Sequence, residues 1–92
     1  MNQTDRIRQM EQRMEHVTAA IDLLYEAFDR YKHVQPDIKA LRDYYDSDLW
    51  RQDFVADEAG RLPKDLQRGV LSEDSLWNLL DVCREFDEIM QK

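Results

Sequence analysis

The stretch IRQMEQRMEHVTAAIDLLYEAFDRY, Ile7–Tyr31, decides the fold. Its apolar residues fall at Ile7, Met10, Met14, Val17, Ile21, Leu24, Phe28 and Tyr31, with alternating spacings of three and four. That is the a/d pattern of a helical seam, and no strand keeps a period of 3.5 over such a length. A helix over about residues 4–32 follows, roughly 43 Å long at 1.5 Å per residue. Its flanks change along its length. Arg6, Glu11 and Arg13 border a narrow N-terminal stripe, whereas Thr18, Ala20, Leu23, Tyr25 and Ala27 widen it beyond Val17. A wide stripe suits burial among several helices and a narrow one suits a single neighbour. Residues 18–32 are therefore expected in the core. Residues 5–17 are expected to project or to pair with a short neighbour or with another chain, with Ile7, Met10, Met14 and Val17 as the candidate interface. The alternative is that the whole seam packs inside the monomer, since heptads are common within ordinary bundles.

The rest of the chain is read outward from this helix. Pro36 and Asp37 mark a second helix start, followed by Ile38, Leu41 and Tyr45 on one face, with an end expected near Asp46–Asp48. A short helix then carries Leu49, Trp50 and Phe54, and Gly60 supplies a positive-φ turn. Residues 62–66 read as a single helical turn opened by Pro63 and closed by Gly69. Ser72 caps a last helix over about 73–90, with Glu73 and Asp74 in its first turn. There Leu76, Leu79, Cys83, Phe86 and Met90 repeat at heptad spacing, and Leu80, Val82 and Ile89 widen the face, so burial on two sides is expected. Two glycines and two prolines in 92 residues leave little room for strands and turns. The fold class is all-α: one domain over 1–92, a small helical bundle with long first and last helices and short central ones.

Acids outnumber bases 20 to 13, for a net charge of -7 and a pI near 4.7. Phosphate backbones and anionic membrane surfaces are repelled by that average field, so neither nucleic acid nor membrane is an expected partner. No apolar run is long enough for a span, and no secretory signal is visible at the N-terminus. One cysteine, Cys83, permits no internal disulfide, which suits a reducing cytoplasm.

Chemistry is sparse. Residues 43–58 hold six acids, Asp43, Asp46, Asp48, Asp53, Asp57 and Glu58, beside Tyr44, Tyr45, Trp50 and Phe54. Carboxylates near aromatics suit a cation or a basic partner. Asp46-x-Asp48 opens like a calcium loop, but Trp50 and Arg51 break the spacing. The structural alternative places Tyr45, Trp50 and Phe54 in the core with the acids solvated or capping. Trp50 and Asp53 share a helix face, where the acid accepts a hydrogen bond from the indole or a nearby backbone N–H. His16 lacks metal-ligand neighbours one turn away, and Cys83 reads as a small core residue. No phosphate loop or nucleophile elbow is present, and no cofactor is implied.

The string Tyr44-Tyr45-x-Ser47-x-x-Trp50-x-x-Asp53, then Asp57-Glu58-x-Gly60-x-Leu62-Pro63, then Arg68-Gly69-Val70-Leu71-Ser72-Glu73-Asp74 resembles an uncharacterised bacterial family of small proteins, domain-of-unknown-function family four-two-nine-eight. The resemblance brings no activity with it and implies a bacterial cytosolic origin. It marks Tyr44, Tyr45, Trp50, Asp53, Asp57, Glu58, Arg68, Gly69 and Asp74 as the candidate motif, structural first and functional second. Arg68 is placed to reach the acidic 53–58 segment. The expected function is a non-enzymatic protein-interaction or adaptor module, acting through a protein partner or a homodimer on the N-terminal helix. The alternative is a small metal-dependent protein or enzyme using residues 43–58. An acidic mimic of nucleic acid is disfavoured by the first helix, where six acids meet five bases.

Overall fold

The computed structural model describes residues 2–91. Four helices follow one another: α1 (Gln3–His33), α2 (Gln35–Tyr45), α3 (Asp48–Glu58) and α4 (Glu73–Gln91), with a 3-10 turn at Gly69–Leu71 ahead of α4. No strand occurs among the described residues. The chain divides into two compact units at Gln35 and Pro36.

The first unit is α1. Asn2 caps it by accepting the Asp5 N–H at 2.8 Å, so one of the four orphan donors of the first turn is satisfied. Asp5 in the first turn and Arg30, Lys32 and His33 in the last match the helix dipole. The Lys32 ammonium lies 5.8 Å from the Phe28 ring centre, a cation–π contact one turn apart. These are local devices. Taken by itself this unit buries none of its residues, and Leu23 and Leu24 are both 66% exposed. The width of the stripe says that this face can be covered, not by what.

The second unit packs α2, α3, the 3-10 turn and α4 around Ile38, Trp50, Leu71, Leu76, Leu80 and Cys83, all buried. Ser47 starts α3 from extended backbone, its hydroxyl accepting the Trp50 N–H and donating to the Tyr44 carbonyl at 2.6 Å. At the other end Arg61 N–H reaches the Ala56 carbonyl and Gly60 N–H the Asp57 carbonyl, the paired bonds of a Schellman close. Gly60 takes φ +70° there, as expected. Between Pro63 and Leu66 the chain makes a turn, with Leu66 N–H on the Pro63 carbonyl at 3.2 Å, and not a helical turn. Gly69 opens the 3-10 turn and does not close a helix. Pro63 gave a helix-start signal, but the segment stops after one i to i+3 bond.

Ser72 opens α4 as expected, its carbonyl accepting the Leu76 N–H and its hydroxyl lying 3.5 Å from the Ser75 N–H. The burial of α4 is narrower than its sequence suggests. Leu76, Leu80 and Cys83 form a buried stripe, whereas Leu79, Val82, Phe86 and Ile89 remain exposed. An ion pair of Arg42 with Asp87 at 3.5 Å joins α2 to α4.

Candidate functional site

Tyr44, Tyr45, Trp50, Asp53 and Asp57 of the motif, with Arg68, meet around α2, α3 and the 3-10 turn, whereas Glu58 and Asp74 do not. Tyr45, Trp50 and Phe54 pack ring on ring: Tyr45 and Trp50 are tilted by 41° with centres 5.0 Å apart, and Trp50 and Phe54 stack 21° from parallel with centres 5.3 Å apart. Tilted and stacked ring pairs at these distances add to the area each ring removes from water. Trp50 is 9% exposed, and its indole N–H donates to the Val70 carbonyl at 3.0 Å. The bond satisfies the one polar atom of a buried ring and fixes the 3-10 turn against α3.

Asp53 does not accept from that indole, contrary to the sequence expectation. It accepts from the Tyr44 hydroxyl at 2.5 Å, a bond that joins α2 to α3. Desolvation, and then the hydrogen bond and the charge of Asp53, push the Tyr44 phenol up to about 12. Asp57 takes a different partner. Arg68 Nη1 donates to its Oδ1 at 2.8 Å, so the expected reach of Arg68 into the 53–58 segment is realised. Glu58 is exposed at the end of α3, and Asp74 is exposed in the first turn of α4, where the dipole favours it. Gly69 carries no positive φ.

The acids of 43–58 therefore separate. Asp43 pairs with Lys39 at 2.8 Å on α2, Asp53 with Tyr44, and Asp57 with Arg68. Among the described residues no three histidine, cysteine or carboxylate side chains converge as metal ligands do. His16 is exposed, and His33 is exposed with Nδ1 2.7 Å from the Asp29 carbonyl. Cys83 is buried and forms no disulfide.

Two contributors escaped the sequence reading. The Val70 carbonyl is the acceptor of the indole, and the Ser47 hydroxyl organises the α2–α3 joint. Ser47 stood in the motif string three residues before Trp50, the spacing of an N-cap, which was the available signal. The Val70 carbonyl left none, since any residue supplies one.

The candidate interface residues Ile7, Met10, Met14 and Val17 are all exposed on α1, and the apolar row continues through Ile21, Leu24 and Phe28. Ile21, Leu24, Tyr25 and Phe28 line a shallow apolar notch of about 280 Å³ on its surface. None of the described helices is long and apolar enough to cross a membrane.

The chain belongs to the family described as domain of unknown function DUF4298, matched over residues 7–92. The match takes in the whole seam of α1 as well as the motif. No curated protein and no solved structure matches the chain.

Proposed function

We propose that this chain is a non-enzymatic protein-interaction module in which α1 is the contact element and the 44–74 motif is its scaffold. The observation that carries the reading is the exposure of a continuous heptad seam: Met14 and Leu24 are each 66% exposed, and Ile7 and Met10 each 53%. A soluble chain rarely leaves a contiguous apolar patch of more than a few hundred Å² to water without a partner for it. The motif supports the same division of labour. Its aromatic, hydroxyl and guanidinium groups are engaged with neighbours inside the second unit, where Trp50 meets Val70, Tyr44 meets Asp53, and Arg68 meets Asp57.

A photo-activatable residue tests this in cells of the native host. Placed at Met14, on the seam, it should give covalent protein adducts. Placed at Gln12, on the opposite face of α1, it should give few. Equal labelling at the two positions, or none at Met14, contradicts the proposal.

A further inference from the structure

We infer that the seam of α1 is covered by the same seam of a second copy of this chain, running antiparallel. The inference rests on the reading of α1 as a contact element and names its partner. Four features of the helix carry it.

The first is symmetry. The seam is a palindrome about Ala19: Val17 and Ile21 lie two residues from it, Met14 and Leu24 five, Met10 and Phe28 nine, and Ile7 and Tyr31 twelve. A helix reversed on a two-fold axis at Ala19 therefore sets every a position of one copy against a d position of the other, with no layer left over. About 36 Å of helix overlaps in that register.

The second is the distribution of size. In a parallel pair each residue meets its own copy, so two Val17 side chains share one layer while two Phe28 and two Tyr31 rings crowd the far end. Reversal sets Phe28 on Met10 and Tyr31 on Ile7, and the layers differ far less from one end to the other. Methionine sulfur against a phenyl ring is itself a favourable contact. The smallest layer, Val17 with Ile21, falls at the axis, where the flanking residues that meet their own copies are Thr18 and Ala20. Both are small enough for the backbones to close there. The parallel arrangement offers only an exposed pair of Arg6 with Glu11 in its favour, a contact of little weight.

The third is a hole of the right kind. The notch lined by Ile21, Leu24, Tyr25 and Phe28 has members at i, i+3, i+4 and i+7, the four-residue socket of knobs-into-holes packing. In the reversed register the side chain opposite its centre is Met14 of the second copy, an unbranched and adaptable knob.

The fourth is area and charge. The seven exposed seam residues from Ile7 to Phe28 offer on the order of 700 Å² per chain, so the pair can bury at most about 1,400 Å², at the lower end of the range of about 1,200–2,000 Å² that specific interfaces bury. The chain as a whole carries -7, but α1 holds six acids and five bases, so the paired surfaces do not repel each other strongly.

The experiment uses full-length Met14→Cys and Leu24→Cys variants, with Cys83 left in its buried position and helicity checked by circular dichroism. Sedimentation velocity of the wild type from low micromolar to millimolar concentration should show a monomer–dimer equilibrium. Under mild oxidation the two variants mixed should form a 14–24 disulfide, identified by peptide mapping, and each alone should cross-link at least fivefold less. Efficient 14–14 and 24–24 cross-links in the separate samples would make the pair parallel and overturn the inference. A strict monomer without cross-links overturns it too. In that event adducts at Met14 to a different protein in the cell experiment would leave the interaction reading standing.

Discussion

Replacing Trp50 with alanine removes the ring between Tyr45 and Phe54 together with the donor to the Val70 carbonyl. Deleting a large buried aromatic costs about 3–5 kcal/mol, a large fraction of the total for a domain this small. Trp50→Phe keeps most of the ring and loses the donor, so about 1–2 kcal/mol is expected. Urea midpoints should rank wild type, phenylalanine, alanine in that order. Equal losses for the two variants would mean that the hydrogen bond and not the ring dominates. Tyr44 adds a pH signature. Its folded pKa, pushed up to about 12, lies above the ordinary value near 10, so its contribution is fully present below pH 10 and is lost as pH rises from 10 through 12. The stability difference between wild type and Tyr44→Phe should therefore shrink over that window, and a constant difference from pH 8 to 12 contradicts the assignment. Arg68→Ala should cost about 1 kcal/mol, since the Arg68 side chain is 37% exposed and solvent screens part of the pair. An unchanged melting temperature would remove Arg68 from the scaffold. The composition of this site was legible before its wiring was. Spacing relates residues three or four apart on one helix, which is why Trp50 and Asp53 were paired. The partners they take, Val70 and Tyr44, lie twenty and nine positions away, where local periodicity is silent.

Two helix ends were legible from their own chemistry, Ser72 capping α4 and Gly60 taking the left-handed turn that closes α3, whereas the caps at Asn2 and Ser47 went unread although each accepts an orphan N–H. Gly60→Ala should therefore cost about 1 kcal/mol, the penalty for forcing a Cβ into positive φ. Gly69→Ala, with neither a positive φ nor any atom within 4 Å of the added carbon, should stay within about 0.5 kcal/mol of wild type. Thermal melts of the two variants side by side make the comparison, and an equal loss would place strain at Gly69 that its backbone does not have. The segment from Pro63 to Leu66 was misread because proline opens turns and helices alike. The face of α4 is a different case: a hydrophobic pattern reports which residues seek cover, and Leu79, Val82, Phe86 and Ile89 lie outside the core that the second unit builds for itself.

At the scale of the whole molecule, residues 36–91 spend their special chemistry on holding three helices and a 3-10 turn together, and the proposal gives α1 the other task, a surface for another helix. Helices in proteins gain most of their stability from packing an amphipathic face, so α1 should open more readily when nothing covers its seam. Hydrogen exchange across a dilution series puts this to the most direct test. Amides of Met10–Phe28 should be protected at high concentration and exchange faster, by an order of magnitude or more, as the protein is diluted, while α3 and α4 near Trp50 and Leu80 keep their protection throughout. Protection of α1 that does not change with concentration would contradict the account.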